Sequence, residues 1–428
     1  MKEKIFPREI TKKLLKWLPR RECYAIRGPR QSGKTTLLKV LEDKLKKQGK
    51  NIVFLNFEDY DILEAFEKNP KEFIKSFLTT RKKYFFLMDE YHYVKDGGKK
   101  LKLLYDTFEN IKFIITGSSS LEISGAMAKF LVGRVFFFEL LPFNFYEFLN
   151  AKDERLAKIY EKTHKQIVNF LSNNKDFKLK EDIFLKELLR FLNEYAVFGG
   201  YPAVIKAKDK ETKIEILKNI YNTYISKDIV EFLKFSDALK YRDVVKVLAL
   251  STGNLINYQE ICSDTNTYYH ELRKIISILL ETYIISLIKP FCKNPRTEIK
   301  KIPKLYFFDL GLKNYIIENF NNLEIRQDRG EIAENLVFLA LRRMFPEASI
   351  NYWRTIAKAE VDFVLRIKNE IIPIEVKFQN LEKPKISRSL RSFIETYKPK
   401  KVLVITKDLW AEKNLGKTKI KFIPIVYL

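Results

Sequence analysis

One stretch near the start of the chain has the composition of a phosphate-binding loop. It reads G-x-x-x-x-G-K-[ST] from Gly28 to Thr35 and lies between a strand-like run and a helix-like run. Glycine lets backbone amides approach a phosphate closely, and a helix N-terminus carries partial positive charge. Lys34 is expected to neutralise the β- and γ-phosphates of a nucleotide, and the Thr35 hydroxyl to ligate Mg²⁺. The predicted nucleotide-contacting positions are Gly28, Pro29, Arg30, Gln31, Ser32, Gly33, Lys34, Thr35 and Thr36.

Two neighbouring acidic residues end a second strand-like run. Asp89 and Glu90 follow the apolar residues 84–88, downstream of the loop. Asp89 is placed to hold Mg²⁺, directly or through water, and Glu90 to polarise the water that attacks the γ-phosphate. His92 is interpreted as a polar loop residue near the ligand rather than as a catalytic one.

Hydroxyl groups end a third strand-like run, residues 111–118. Because strand C-termini face the ligand crevice in an open parallel sheet, Thr116 or Ser118 is expected to contact the γ-phosphate or to orient water. The alternative is a serine that caps the start of a helix. Arg134 is predicted to act as an arginine finger, within its own chain or from a neighbouring subunit; the alternative is an ordinary surface arginine.

Acidic and basic residues also converge late in the sequence. Asp362 lies in one strand-like run, and Glu375 and Lys377 lie in the next, on one face of their strand. With Glu334 as an extra ligand from the preceding helix, they form a candidate second metal site that would stabilise a phosphorane-like transition state. This is the arrangement of the PD-(D/E)xK nucleases, although Val361 stands where that name has proline. A salt-bridged strand face is the alternative.

The composition favours a polyanionic partner and a reducing compartment. Lys and Arg number 79 against 54 Asp and Glu, which gives a net charge of +25. Such an excess favours nucleic acid, although solvated helix faces explain it equally well. The three cysteines lie far apart, so neither a zinc site nor a disulfide framework is expected. No apolar run reaches the ~18 residues of a membrane span, and we expect a cytoplasmic protein without a membrane partner.

Apolar runs alternate with helix-like stretches through the first third of the sequence. Such a pattern predicts a parallel sheet covered on both faces, hence the α/β fold class. Residues 61–80 are predicted to be helical. The five strand-like runs are 23–26, 51–57, 84–90, 111–118 and 134–140.

Later segments predict three further modules. Residues 143–236 have helical periodicity, with a charged stretch at 151–182 that is expected to be a mobile insertion. Three helices and two β-like runs then have the composition of a winged helix, which serves either DNA or protein binding. Its recognition helix would begin near Thr267 and present Tyr268, His270, Arg273 and Lys274. The predicted domains are a P-loop core at 1–142, a helical lid at 143–236, a winged-helix-like domain at 237–322 and a small α/β nuclease-like domain at 323–428.

These motifs together resemble the prokaryotic AAA-type ATPases that carry a C-terminal domain of unknown function 4143. The resemblance covers nearly the whole length. It implies ATP binding, probable hydrolysis, a winged-helix segment and a restriction-endonuclease-like C-terminal fold. One departure is His92 with its flanking tyrosines, where members more often have an Ile-Gln pair. The motifs are residues 28–35, 87–90, 116–119, 133–134, 198–202, 301–312, 352–354 and 360–364.

Three functions are consistent with these residues. The first is a Mg²⁺-dependent ATPase that uses turnover to move a nucleic-acid-binding C-terminal half. The second is an ATP-gated metal nuclease centred on Asp362, Glu375 and Lys377. The third is a nucleotide-dependent switch that binds a protein partner and carries an inactive nuclease-like domain. The sequence leaves the oligomeric state open.

Overall fold

The computed structural model describes residues 5–117, 132–173, 175–179, 183–223, 238–292 and 302–428. The chain forms two compact units. The first comprises Met1–Phe143 with Glu281–Ile284, and the second comprises Asn144–Leu280 with Ile285–Leu428. Among the described residues, no helix has the length and apolarity needed to cross a bilayer.

The first unit is built on a five-stranded parallel sheet in the order β2-β3-β4-β1-β5. Its strands are β1 (Cys23–Arg27), β2 (Asn51–Asn56), β3 (Tyr84–Asp89), β4 (Ile111–Gly117) and β5 (Val135–Glu139). Its helices are α1 (Ile10–Trp17), α2 (Lys34–Lys47), α3 (Tyr60–Lys68), α4 (Pro70–Ser76) and α5 (Gly97–Thr107), with a 3₁₀ turn at Tyr91–Tyr93.

Helices cover both faces of this sheet because its strands direct apolar side chains to both faces. Cys23 and Ala25 of β1 face one hydrophobic core, whereas Tyr24 and Ile26 face the other. Strand β3 is buried at every position. The predicted parallel α/β sheet is therefore confirmed, and β1, which leads into the loop, lies between β4 and β5.

Residues 61–80 are helical for the most part, as predicted, but the segment forms two helices rather than one continuous helix. Asn69 has extended backbone, and its side chain accepts a hydrogen bond from the amide of Glu72 to cap α4. Pro70 follows as the first residue of α4. Proline disfavours helical backbone in the residue before it, so the chain must break there.

The second unit begins with helices. These are α6 (Phe145–Lys152), α7 (Glu154–Asn173), α8 (Leu185–Phe198), α9 (Pro202–Lys206) and α10 (Lys210–Thr223). The expected mobile insertion at 151–182 is wrong for its larger part, because α7 is a regular helix. Its apolar side chains recur at helical spacing and are buried, from Leu156 and Tyr160 to Ile167 and Leu171.

Three more helices and an antiparallel strand pair follow. The helices are α11 (Ala238–Leu250), α12 (Tyr258–Asp264) and α13 (Tyr269–Glu281), and the strands are β6 (Ile285–Ile288) and β7 (Lys304–Phe307). Between α11 and α12, two isolated β-bridges join Thr252 to Leu305 and Leu255 to Lys304 of β7. Three helices followed by a hairpin are the elements expected of a winged helix, an assignment that stays a prediction.

The last part of the chain is a six-stranded mixed sheet in the order β12-β13-β11-β10-β9-β8. Its strands are β8 (Ser349–Arg354), β9 (Glu360–Ile367), β10 (Glu370–Lys377), β11 (Lys401–Thr406), β12 (Ala411–Leu415) and β13 (Thr418–Pro424). The accompanying helices are α14 (Leu310–Ile316), α15 (Arg329–Met344) and α16 (Arg388–Tyr397), with 3₁₀ turns at Leu323–Ile325 and Ile425–Tyr427.

Two of the sequence motifs interlock within the second unit. The buried carboxylate of Asp309 accepts hydrogen bonds from the amides of Gly200, at 2.7 Å, and Leu312, at 2.9 Å. Gly199 has φ 75°, and a Cβ there would lie 2.2 Å from Oδ1 of Asp309. A Cβ on Gly311 would lie 2.0 Å from the carbonyl oxygen of Phe198. Both motifs therefore require glycine, and they join α8 to α14.

Asp309 makes the stability of this junction pH-dependent. Burial raises the pKa of Asp309 to about 6, against the effect of its amide hydrogen bonds. Between about pH 4 and 6 the folded state therefore holds a proton that the unfolded chain releases, so stability falls as the pH rises. Relative to Asp309→Asn, the wild type should gain about 2 to 3 kcal/mol of unfolding free energy between pH 7 and pH 4.

Urea denaturation of both proteins across this pH range measures that difference. The matched control is Asp243→Asn, which removes an exposed carboxylate of α11 in the same unit. The control should follow the wild-type pH profile. Parallel profiles for wild type and Asp309→Asn would contradict the assignment.

Candidate functional site

The phosphate-binding loop lies between the end of β1 and the start of α2, as its sequence predicts. Gly33 has φ 93° and Gln31 has φ 58°, so both adopt left-handed backbone at the turn into the helix. A Cβ on Gly28 would lie 2.1 Å from the carbonyl oxygen of Leu140, which excludes any side chain there. The turn thus ends at the N-terminus of a 14-residue helix, where the helix dipole attracts anions.

Lys34 and Ser32 supply polar groups to this loop. The Lys34 ammonium is buried and donates to the carbonyls of Gly28, at 3.0 Å, and Pro29, at 2.9 Å. The Ser32 hydroxyl is fully buried and has no hydrogen-bond partner among the described residues. A buried hydroxyl without a partner is costly, and a phosphate oxygen would satisfy it. These groups fit the phosphates of a nucleotide.

The other predicted nucleotide contacts surround these two residues. Pro29 is buried, Arg30 and Thr35 are half-buried, and Gln31 and Thr36 are exposed. The roles of these positions in nucleotide binding stay predictions.

Arg8 contacts the loop from outside, which no pattern in the sequence indicates. Its guanidinium donates to the carbonyls of Ser32, at 3.0 Å, and Leu141, at 2.6 Å, and lies 4.4 Å from the ring centre of Phe143. These contacts tie the loop to the segment that follows β5. The sequence separation of 24 and 133 residues explains why no local pattern predicts them.

Thr116 connects the two acidic residues at the end of β3. Its hydroxyl donates to Oδ1 of the buried Asp89 and accepts from the amide of Glu90 at 3.1 Å. Glu90 itself has left-handed backbone, with φ 49°. Thr116 therefore holds the carboxylate of Asp89 and the backbone of Glu90. Ser118, the other predicted hydroxyl, lies outside the described residues.

The Glu90 carboxylate faces cationic side chains. Nδ1 of His92 lies 3.0 Å from its Oε2. Burial alone would raise the pKa of Glu90, but the contact with His92 and the charges of Lys34 and Arg30 together lower it. Glu90 is thus ionised near neutral pH, as a group that polarises water must be.

Mg²⁺ fits the loop only together with a nucleotide. Among the described residues, no group of three or more His, Cys, Asp and Glu side chains is spaced to hold a metal ion. Mg²⁺ in nucleotide sites uses one or two protein ligands and completes its shell with phosphate oxygens and water. Thr35 and Asp89 are residues of the right type for those two positions, and their role as ligands stays a prediction.

Arg134 lies at the opposite end of β1 from the phosphate-binding loop, too far away to act on a nucleotide bound by its own chain. Its carbonyl accepts a hydrogen bond from the amide of Cys23, the first residue of β1, whereas the loop follows the last residue of that strand. At about 3.3 Å per residue, β1 separates the two by some 13 Å or more. The Arg134 side chain pairs instead with Asp106 at 3.1 Å. Action from a neighbouring subunit stays a prediction.

The C-terminal candidate residues do come together, with an unexpected lysine among them. Asp362 accepts from the amide of Val376 at 2.7 Å, and Lys377 lies 3.0 Å from Glu375. Burial and the neighbouring Glu334 raise the pKa of Asp362 above its ordinary value.

Lys304 of β7 enters this group from the strand pair before it. Its ammonium lies 3.4 Å from Glu334 and 2.5 Å from Glu360, and Tyr306 also donates to Glu334, at 3.1 Å. The only signal for Lys304 in the sequence is a lysine at the start of an otherwise apolar strand. These residues do not fit a divalent metal as they stand, since a protein cation already neutralises the carboxylates.

Helix α13 presents the exposed face expected of a recognition helix. Tyr268, His270, Arg273 and Lys274 are all exposed, and Tyr269 is exposed beside them. The buried positions of the helix, such as Leu272 and Ile275, lie on its other face. Aromatic and basic side chains on one face are suited to nucleic acid, but fold alone does not decide the partner.

Comparison with known protein families matches three parts of the chain. Residues 20–149 match a family described as an AAA domain, and residues 329–428 match the domain of unknown function DUF4143. The chain carries an AAA domain and a DUF4143 domain. These two domains of the resemblance are thereby confirmed, whereas ATP hydrolysis, the winged-helix segment and the restriction-endonuclease-like fold stay predictions. Residues 189–323, between the two, match the domain of unknown function DUF8612.

Relatives of this chain occur in bacteria and archaea. An uncharacterized protein of Haemophilus influenzae is 26% identical over 421 residues, covering 94% of this chain and 92% of its own. One from Methanocaldococcus jannaschii is 29% identical over 404 residues, covering 93% and 83%. A second protein of that organism, an uncharacterized ATP-binding protein, is 25% identical over 342 residues, covering 62% and 86%.

Solved structures are less similar to this chain in sequence than the relatives above. AMPPCP-bound DnaA from Aquifex aeolicus is 17% identical, with a TM-score of 0.29 over 64% of this chain and 86% of that chain.

Proposed function

We propose that this protein binds ATP with Mg²⁺, hydrolyses it, and couples hydrolysis to a conformational change of its nucleic-acid-binding C-terminal half. The main support is the arrangement around the loop, where Lys34, the helix N-terminus and the ionised Glu90 provide phosphate binding and water activation. The AAA domain at 20–149 and the name of one archaeal relative, an ATP-binding protein, agree with it.

Each polar residue of the site has a part in this proposal. Lys34 binds the β- and γ-phosphates, and Thr35 and Asp89 hold Mg²⁺, which neutralises charge on the phosphates. Glu90 orients the attacking water, and Thr116 holds the carboxylate of Asp89 and the backbone of Glu90 in position. Arg134 would stabilise the transition state only from a neighbouring subunit, because it lies at the opposite end of β1 from the loop of its own chain.

Nucleic acid is the partner that the exposed face of α13 supports. Arg273 and Lys274 are part of the basic excess that gives the chain a net charge of +25. Tyr268, directly before the helix, provides an exposed aromatic ring. A protein partner is the alternative, in which nucleotide exchange serves as a switch. The two differ in salt dependence, because binding to phosphates releases counterions.

The coupling is tested with duplex DNA labelled for fluorescence anisotropy. Replacing Arg273 and Lys274 by alanine should weaken DNA binding about tenfold and reduce the slope of log affinity against log salt by about one to two. The same DNA should change the rate of phosphate release from Mg-ATP by the wild type.

Arg242→Ala with Lys246→Ala is the matched control, since it removes equal charge from exposed positions of α11. If both double variants lose DNA affinity equally, the loss reflects the overall charge of the protein rather than contacts made by α13. Salt-independent binding, or a rate unaffected by DNA, would contradict the nucleic-acid half of the proposal and favour the protein switch.

A further inference from the structure

A buried lysine lies within the acidic cluster of the C-terminal domain. Lys304 is 3% exposed, and its ammonium contacts Glu334 and Glu360 as described above. Glu360 also pairs with Arg354 at 3.0 Å. The cluster therefore holds four carboxylates (Glu334, Glu360, Asp362 and Glu375) and three cations (Lys304, Arg354 and Lys377).

Lys304 remains charged in this position. Burial alone would lower its pKa, but the carboxylates of Glu334, Asp362 and Glu360 together raise it above the ordinary value. An ammonium held by carboxylates at these distances neutralises the charge that would otherwise attract a divalent ion.

The strand that carries Lys304 is fixed to the same helix as Glu334. The Asn335 side chain of α15 accepts from the amide of Phe307, at 2.7 Å, and donates to its carbonyl, at 2.9 Å. This side chain pairs with β7 as a neighbouring strand would, and Tyr306 adds its hydrogen bond to Glu334. These hydrogen bonds hold the strand that carries Lys304 beside the helix that carries Glu334, so the ammonium and the carboxylates stay close together.

The carboxylates are also committed individually. Glu334 binds Lys304 and Tyr306, Asp362 binds the amide of Val376, and Glu375 binds Lys377 with one oxygen. The second oxygen of Glu375 is buried and has no hydrogen-bond partner among the described residues. One unpartnered oxygen falls short of the ligand set that a divalent cation requires.

We propose that the ammonium of Lys304 is the resident cation of this cluster and excludes a divalent metal from it. The cluster then joins the strand pair β6-β7 to the C-terminal sheet, and the domain does not cleave nucleic acid by metal-ion catalysis.

Mn²⁺ binding to the nucleotide-free protein, followed by electron paramagnetic resonance, tests this proposal. Wild type and Asp362→Asn should take up the same amount of Mn²⁺. Lys304→Met removes the ammonium from the carboxylates. This variant should bind one more Mn²⁺ than the wild type, with an affinity for the cluster at least about tenfold higher than that of the wild type, because the net negative charge of the ligands increases. Adding Asp362→Asn to Lys304→Met should remove that gain.

Lys313→Met is the matched control, because Lys313 is an equally buried lysine of the same unit that pairs with Asp328 at 2.6 Å. It should gain no Mn²⁺ affinity. Mn²⁺ uptake by the wild type that Asp362→Asn abolishes would overturn the proposal, and this comparison stands even if Lys304→Met fails to fold. A folded Lys304→Met protein with no gain would also overturn it.

Discussion

Replacing Glu90 by glutamine should lower the rate of ATP hydrolysis by about two to three orders of magnitude and leave ATP binding intact. Glutamine keeps the size of the side chain and the amide contact of residue 90 with Thr116, but it cannot accept a proton from water. The carboxylate is ionised in the wild type because His92, Lys34 and Arg30 outweigh its burial. Steady-state phosphate release and equilibrium ATP binding measure the two effects separately.

The control for this variant is Glu64→Gln, at an exposed position of α3 in the same unit. It should hydrolyse ATP at the wild-type rate. A Glu90→Gln protein that binds ATP and turns it over as fast as the wild type would remove Glu90 from the mechanism. Loss of binding together with hydrolysis would instead point to a structural role for residue 90.

Replacing Lys34 by methionine should weaken ATP binding about a hundredfold or more. Charge-assisted hydrogen bonds contribute about 1.5 to 3 kcal/mol each, and Lys34 is expected to make at least one such bond to the phosphates. Methionine keeps the apolar stem, which is buried against the loop. Lys39→Met, at an exposed position of the same helix, is the matched control and should bind ATP as the wild type does.

Equal affinities for wild type and Lys34→Met would contradict the assignment of the loop. Circular dichroism of the variant distinguishes lost binding from lost folding, because Lys34 also donates to the carbonyls of Gly28 and Pro29.

The parts of the fold that the sequence predicts correctly are those that depend on neighbouring residues. The loop from Gly28 to Thr35 contains its own turn glycines and its helix start, and each buried strand is a continuous apolar run. The break between α3 and α4 at Pro70 also depends on neighbouring residues, but the helical periodicity of 61–80 continues across it and does not indicate it. In the stretch 151–182, the many lysines and asparagines hid an apolar face at helical spacing.

The residues that sequence analysis missed act through contacts between distant segments. Arg8 reaches Ser32 and Leu141, and Lys304 reaches Glu334 and Glu360; no local pattern indicates either pair. The place of Arg134 depends on which strand lies beside β1, and this follows from strand order rather than from the spacing of motifs. The glycine motifs at 198–202 and 301–312 are recognisable in the sequence, but their interlocking at Asp309 is visible only in the fold.

The central claim is that a nucleoside triphosphate binds at the loop between β1 and α2. Isothermal titration calorimetry of the purified wild-type chain with ATP in magnesium buffer tests it most directly. The account predicts saturable binding of one nucleotide per chain, with no comparable binding to Lys34→Met. Absence of any uptake of ATP or ADP by the folded wild-type protein would contradict it.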